Sequence, residues 1–236
     1  MISSGFDSTY GILCNAAGVA GNIFAFGLFI SPIPTFRRII RNRSIEQFSG
    51  LPYIYALLNC LITLWYGLPM ITPGIILVAT VNSIGATFQL IYIIIFIIYA
   101  ENMKKVKMVG LLAVVLGVFA VIVFVSMRVL HPSMRQVVVG SLSVASLISM
   151  FASPLFVINI VIRTKSIEFM PFYLSLSTFL MSISFFAYGV LKNDVFIYVP
   201  NGVGTLLGIV QLALYAYYSR GSREVSREPL IPSCSR

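Results

Sequence analysis

Two asparagines stand out among the residues that could bind a small molecule, because each lies inside a long apolar run. Asn82 begins the segment Asn-Ser-Ile-Gly, and Asn201 begins Asn-Gly-Val-Gly. By helical rise, both lie roughly 9 to 12 Å from one end of their runs. Two amides at one depth offer hydrogen-bond donors and acceptors without charge, which suits the hydroxyl groups of a sugar. The alternative is that each amide bonds a neighbouring helix.

Charged groups are absent from those apolar runs. The seven acidic residues fall in loops, in tails or at the edge of a run, namely Asp7, Glu46, Glu101, Glu168, Asp194, Glu224 and Glu228. Carboxylates and bases inside a membrane are the usual parts of proton relays and charged-substrate sites. Their absence predicts an uncharged cargo that moves down its own gradient, and it leaves sodium coupling through carbonyls and asparagines open. The lone His131 cannot build a metal site or a catalytic pair, so we expect neither an enzyme nor a cofactor.

Four prolines form a second group of candidates. Pro32, Pro52, Pro154 and Pro171 all lie within two or three helical turns of a basic segment. A proline removes a helical hydrogen bond and clashes with the preceding turn, so it makes a point at which a helix bends. The alternative for Pro52 and Pro171 is that each merely starts a helix, where proline is at home. Pro32 and Pro154 interrupt apolar runs, which that alternative explains less well.

The sequence contains seven long apolar runs, and the asparagines and prolines described above lie in them. Hydrophobic residues make up 58% of the 236 residues and charged residues 10%, and the mean hydropathy is +0.97, which leaves too little polar surface for a soluble globule. A helix needs about 18 apolar residues to cross the hydrocarbon. The runs cover roughly 11–36, 51–69, 74–100, 107–127, 136–162, 169–191 and 195–218. The alternating segments of a membrane barrel are absent. The composition and the runs together predict an all-α membrane protein.

The chain is an internal duplication. Ser31-Pro32 and Ser44-Ile45-Glu46 recur 122 positions later, and after a short gap Asn82 and Asn201 correspond at an offset of 119. A three-helix unit crosses the membrane an odd number of times, so the unpaired fourth run is predicted to be a linker helix that keeps the two copies parallel. This 3+1+3 order divides the chain into an outer tail (1–10), a first bundle (11–100), the linker (101–135), a second bundle (136–218) and a final tail (219–236).

The basic residues predict the orientation. With the amino terminus outside, the four inner segments carry thirteen of the sixteen Lys and Arg residues. The outer loops hold only Arg128, Arg135 and Lys192. This asymmetry follows the positive-inside rule and puts the carboxyl-terminal tail in the cytosol. The net charge of +9 is therefore a topology signal, and we do not expect nucleic-acid binding.

The ordered motifs of both copies resemble those of the SWEET family of sugar transporters. The resemblance covers residues 11 to about 218 and rests on Ser31-Pro32-Ile33-Pro34-Thr35-Phe36, Phe48-Ser49-Gly50-Leu51-Pro52-Tyr53, Asn59-Cys60, Trp65-Tyr66-Gly67, Asn82, Ser166-Ile167-Glu168-Phe169-Met170-Pro171, Tyr188-Gly189 and Pro200-Asn201. It implies two three-helix bundles joined by an inverting linker helix, with sugar passing between the bundles. It also implies a homo-oligomer, with a trimer as one form.

Several residue roles follow from the resemblance alone. It makes Asn82 and Asn201 the central sugar-binding pair, with Asn59 and Cys60 among the substrate-binding positions. Thr63 matches a pocket position, and its counterpart is Phe185, where many members carry Trp. A Phe keeps an aromatic face for a sugar ring but lacks the indole N–H donor. The remaining matches are the proline tetrad that lets the helices pivot (Pro32, Pro52, Pro154, Pro171) and the outer-gate positions Tyr66, Tyr188 and Asp194.

The function that we expect is a passive, bidirectional sugar uniporter that works by alternating access. One alternative is a seven-helix receptor, which agrees in helix count and orientation but not in the duplication or the very short loops. Another is a related repeat carrier for a different small neutral solute. The tail segment 228–231, Glu-Pro-Leu-Ile, loosely resembles an acidic dileucine sorting address, which favours an endomembrane such as the vacuolar membrane over the plasma membrane.

Overall fold

A computed structural model describes residues 2–168 and 170–225. Within them the chain forms nine α-helices and one short π-helical segment, Val125–Val129. The α-helices are α1 (Ile2–Ile30), α2 (Ile33–Asn42), α3 (Leu51–Gly67), α4 (Ile76–Tyr99), α5 (Asn102–Phe124), α6 (Pro132–Met150), α7 (Ala152–Thr164), α8 (Phe172–Leu191) and α9 (Val195–Val225). The predicted outer tail is thus helical from Ile2, and the final tail is helical to Val225. The predicted sorting address lies outside the described residues.

These helices make seven apolar crossings. Six helical segments are long and apolar enough to span a membrane: Thr9–Asn42, Ile76–Tyr99, Asn102–Val129, Pro132–Thr164, Phe172–Leu191 and Val195–Ser219. The seventh crossing, Leu51–Gly67, is apolar and has 17 residues, so it is about 25 Å long and close to the hydrocarbon thickness. The predicted all-α membrane fold with two three-helix bundles and a linker helix is confirmed.

The third helix of each bundle lies between the other two. In the first bundle α4 contacts α1, α2 and α3, and in the second bundle α9 contacts α6, α7 and α8. The bundles meet through α1 against α8 and α3 against α6. The linker helix α5 packs on α3 and α4. The six crossings of the two bundles therefore surround a central space, and α5 lies outside it.

Two glycines show that the duplication extends to the packing of the helices. A Cβ on Gly67 would lie 2.6 Å from the backbone nitrogen of Ala79, and a Cβ on Gly189 would lie 2.6 Å from the backbone nitrogen of Tyr198. The glycines are 122 positions apart and their neighbours 119 positions apart, which are the two offsets of the sequence repeat. The second and third helices of each bundle approach closely because these residues have no side chain.

The four predicted pivot prolines lie at interruptions or starts of helices. Pro32 separates α1 from α2, and Pro154 lies in the first turn of α7, just after the break at Phe151. Pro52 is the second residue of α3, and Pro171 is the residue before α8. Pro52 and Pro171 thus lie at helix starts, as the alternative interpretation expects. Pro32 and Pro154 lie instead where a crossing is interrupted between two helices.

An ion pair organises the first inner loop. Arg38 donates from Nε and Nη2 to the two carboxylate oxygens of Glu46, at 3.0 and 2.6 Å, and Asn42 donates to Oε1 at 2.7 Å. The Arg38 guanidinium, and then the Asn42 amide, hold the pKa of the Glu46 carboxyl below its ordinary value. The pair is solvent-exposed, so its contribution is mainly to the shape of the loop.

Candidate substrate pathway

A cavity of about 300 Å³ lies between the two bundles. Its walls come from α1, α3 and α4 of the first bundle and from α6, α8 and α9 of the second. Seven residues predicted from the sequence line it, namely Asn59, Cys60, Thr63, Tyr66, Asn82, Phe185 and Asn201. The other gate residues, Tyr188 and Asp194, and the four prolines are not among its lining residues. The structure thus brings the predicted binding residues together and sets the predicted pivots apart.

Asn82 and Asn201 have the same local geometry in the two bundles. Each is half-buried, and each donates its Nδ2 to the carbonyl four residues earlier, Val78 for Asn82 and Ile197 for Asn201, at 2.8 Å in both cases. Within the described residues neither amide bonds a neighbouring helix. Each Oδ1 and each second N–H hydrogen is therefore available to a ligand.

Thr63 and Phe185 occupy equivalent contacts between the bundles. Thr63 Oγ1 hydrogen-bonds Ser143 Oγ at 2.9 Å, which joins α3 to α6. A Cβ on Gly21 would lie 2.7 Å from the Phe185 ring, which joins α1 to α8. Gly21 and Ser143 are 122 positions apart, like Thr63 and Phe185. One wall of the cavity is therefore polar and the opposite wall aromatic.

A hydrogen bond closes the end of the cavity that lies towards the α3–α4 turn. Tyr66 Oη donates to the Asp194 carboxylate, at 2.8 Å from Oδ1 and 2.7 Å from Oδ2. Asp194 also accepts from the backbone N–H of Phe196 at 3.0 Å, so it caps the first turn of α9. Although the sequence puts Asp194 at the edge of a run, its exposed fraction is only 6%.

Tyr188 supports the same closure from α8. Its side chain is 1% exposed, and a Cβ on Gly18 would lie 2.9 Å from its ring. Lys192 Nζ lies 5.9 Å from the centre of the ring. The small residue on α1 lets the tyrosine fill the interface between the bundles.

Two polar residues of the cavity wall, Gln89 and Ser143, are not among those predicted from the sequence. Gln89 follows Asn82 by seven residues, which puts it on the same face of α4 two turns further along. The seven-residue spacing from Asn82 could therefore have identified Gln89 as a residue of the cavity wall. Ser143 lies among other small residues of α6, such as Gly140, Ser141 and Ala145, and nothing in the sequence separates a serine that packs from one that lines a cavity.

Known proteins resemble this chain over nearly its whole length. The family described as "Sugar efflux transporter for intercellular exchange" matches residues 15–105 and again 137–223, which are the two bundles without the linker. A bidirectional sugar transporter SWEET2a from Sorghum bicolor is 64% identical over 95% of this chain and 93% of its own length. A bidirectional sugar transporter SWEET2 from Arabidopsis thaliana is 63% identical over 97% of both chains.

A solved structure also matches the fold. The 3.7 Å resolution structure of a eukaryotic SWEET transporter superposes with a TM-score of 0.88 at 59% sequence identity, covering 90% of this chain and 99% of the solved one. The two matched segments and the superposition agree with the duplicated bundles. This chain belongs to the SWEET family of sugar transporters.

Proposed function

We propose that this chain is a bidirectional, facilitative sugar uniporter, a carrier and not an enzyme, that works by alternating access. One observation carries the proposal: an uncharged cavity lies between two duplicated bundles, with Asn82 and Asn201 in its wall at equivalent positions. A neutral polyol needs donors and acceptors without charge, and the two amides supply both. The family's description and the names of the relatives favour this function over the seven-helix receptor.

The sugar binds with its hydroxyl edge towards the asparagine pair and one face on Phe185. An aromatic ring presents a flat, weakly negative face that suits the C–H groups of a sugar ring. Thr63, Asn59 and Cys60 complete the polar wall from α3. Because Phe185 lacks the indole N–H of the Trp in many family members, ring contact at this position is less specific for the orientation of the sugar.

Alternating access arises from relative motion of the bundles. Rupture of the Tyr66–Asp194 bond opens one end of the cavity, and Tyr188 moves with α8 as the interface loosens. Pro32 and Pro154 let their crossings bend, because a proline nitrogen cannot donate to the preceding turn. Pro52 and Pro171 begin α3 and α8, so they set the points about which those helices tilt.

The protein lies in the membrane with its amino terminus outside or in the lumen and its carboxyl-terminal tail in the cytosol. The distribution of Lys and Arg supports this orientation. The vacuolar membrane is the location that we propose, from the sorting-like segment of the tail. The family resemblance supports a homo-oligomer, with a trimer as one form.

Uptake of labelled glucose and sucrose into proteoliposomes tests the function, with and without an imposed proton gradient. We expect saturable uptake that stops at equal concentrations and does not respond to the gradient. Asn82→Ala and Asn201→Ala should each abolish uptake while leaving folded protein in the membrane. Ser83→Ala is the matched control, because Ser83 is exposed and bonds only the Thr80 carbonyl of its own helix.

Two results would count against this function. Accumulation of sugar above the outside concentration under a proton gradient would contradict facilitated transport. Unchanged uptake in both asparagine variants would remove the binding site from between the bundles.

A further inference from the structure

Gln89 is a buried amide in the cavity wall without a partner. Its side chain is 7% exposed, and it lines the same cavity as Asn82 and Asn201. Its Oε1 makes no hydrogen bond within the described part of the chain. A buried polar group that lacks a partner costs free energy, so its presence calls for a function or a bound molecule that satisfies it. An amide that merely joined two helices would have a partner on the second helix.

The position of Gln89 extends the polar wall away from the closed end. Gln89 is seven positions after Asn82, which corresponds to about 10 Å along the axis of α4 and to nearly the same face. The direction is towards the end of α4 that leads into α5, away from Tyr66 and Asp194. A ligand that bonds both amides must therefore extend along the helix axis.

The second bundle has no counterpart for this amide. The offset of 119 positions puts Gly208 at the equivalent place in α9. A Cβ on Gly208 would lie 3.1 Å from the backbone Cα of Phe179, so a side chain has no room there. The amide pair of Asn82 and Asn201 is symmetric, whereas Gln89 is supplied by the first bundle alone.

Three lining residues near this end of the cavity are apolar. Leu28 and Phe29 lie at the end of α1, and Met150 is the last residue of α6. Asn59 of α3 is the other buried amide of the cavity wall whose oxygen lacks a partner within the described residues. An amide beside apolar groups distinguishes a ligand that has a hydroxyl at that point from one that lacks it, because the unmatched amide would stay unpaired.

We propose that Gln89 binds a sugar hydroxyl beyond the reach of the asparagine pair and is a specificity-determining residue of this transporter. The terminal amide can present its oxygen or its nitrogen to the cavity, so it accepts from the hydroxyl or donates to it. Because only one bundle contributes this group, it selects one end of an unsymmetrical sugar. This inference rests on the proposed transport of sugar through the cavity.

The test is inhibition of labelled glucose uptake in proteoliposomes by the monodeoxyglucoses, for the wild-type chain and Gln89→Leu. Leucine is similar in bulk and has no hydrogen-bonding group. We expect Gln89→Leu to raise KM for glucose by roughly 3- to 10-fold, the worth of one hydrogen bond. We also expect that one monodeoxyglucose inhibits uptake by the wild-type chain less strongly than unlabelled glucose does. In the variant, that monodeoxyglucose and glucose should inhibit uptake equally.

Gln211→Leu is the matched control, since Gln211 is 8% exposed, lies in α9 and is outside the cavity wall. It should keep the wild-type order of inhibitors. If Gln89→Leu does not reach the membrane as folded protein, Gln89→Asn replaces it, because it shortens the side chain by one methylene and withdraws the amide. We expect Gln89→Asn to change the inhibition by the same monodeoxyglucose.

The possible failures are distinguishable. No saturable sugar uptake by the wild-type chain would overturn the proposed function. Normal uptake by the wild-type chain, with the same order of inhibitors in the Gln89 variant, would overturn this inference alone. An unchanged KM with a raised unfolding temperature in Gln89→Leu would also overturn it, because that is the result expected if the amide only holds a buried water.

Discussion

The hydroxyl of Tyr66 lies within 2.8 Å of both carboxylate oxygens of Asp194, so a phenol of the first bundle donates to a buried acid of the second. The two residues are 128 positions apart, and Asp194 is more deeply buried than Glu46, Glu101 and Glu168, the other carboxylates whose burial the structure describes. Because Asp194 also caps α9, the bond ties the end of α3 to the start of the helix that carries Asn201. The closed end of the cavity and one binding helix are thereby connected.

Tyr66→Phe should favour opening of this end. The variant keeps the ring and loses only the hydroxyl, and a hydrogen bond to a charged group contributes about 1.5–3 kcal/mol. The equilibrium between closed and open forms should therefore shift roughly 10- to 100-fold towards the open form. Cys60 lines the cavity, so its modification by a membrane-impermeant thiol reagent measures the opening, in a background with Cys14 and Cys234 replaced by Ser.

Tyr55→Phe is the control for that measurement. Tyr55 is the fifth residue of α3, and its hydroxyl bonds Ser149 of the second bundle at the opposite end of the crossing from Tyr66. Its loss should not raise labelling of Cys60 by reagent added on the Tyr66 side. Equal labelling of the Tyr66→Phe variant and the parent would mean that the bond does not hold this end closed.

Much of this architecture could be predicted from the sequence, because its signals are local or repeated. Apolar runs long enough to span the hydrocarbon predict the crossings, and the recurrence of Ser-Pro and Ser-Ile-Glu predicts the duplication. The asparagine pair is visible for the same reason, since both copies retain it. Signals of this kind need no knowledge of which helices touch.

Features that depend on packing could not be predicted in this way. Gln89 has no counterpart in the second copy, so the repeat does not single it out, and only its spacing of seven residues from Asn82 points to it. Asp194 follows a short turn and has the sequence context of a surface acid, yet Tyr66 and the Phe196 N–H satisfy it in the interior. The resemblance to the family supplied its gate position, and residue patterns alone would have left it in the loop.

Pro154→Ala should slow transport more than it changes sugar affinity. Pro154 cannot donate a backbone N–H to the carbonyl of Met150, the last residue of α6. Alanine restores that donor and favours one continuous helix in place of α6 and α7. We expect a several-fold lower maximal rate in proteoliposomes at equal protein, with KM within about twofold of the parent.

Pro73→Ala is the matched control, since Pro73 is exposed in the turn between α3 and α4. It should leave the maximal rate unchanged. A Pro154→Ala variant that changes only KM would contradict a pivot at this break, and so would equal losses of rate in the two variants.

Tyr92→Phe should destabilise the first bundle. Tyr92 is 3% exposed and donates its hydroxyl to the Phe29 carbonyl at 2.7 Å, beside the break between α1 and α2. The variant leaves that carbonyl without this donor at a cost of about 1 kcal/mol, so the unfolding temperature in detergent should fall by about 2–4 °C. Tyr53→Phe is the control, because the Tyr53 ring packs beside Tyr92 but its hydroxyl makes no hydrogen bond within the described residues. Equal unfolding temperatures for the two variants would show that the Tyr92 bond adds no stability.

Phe185→Ala should weaken sugar binding with little change in the rate at saturation. The Phe185 ring is the aromatic surface opposite the Thr63–Ser143 pair, and it lies against Gly21 of the other bundle. Loss of an aromatic face costs about 0.5–1.5 kcal/mol, so KM for glucose should rise roughly 2- to 10-fold. Phe186→Ala removes an equal ring from the next residue, which is 37% exposed and outside the cavity wall, and it should keep the parent KM. The same KM in both variants would mean that the sugar does not contact the aromatic wall, and that Phe185 serves only to pack α8 against α1.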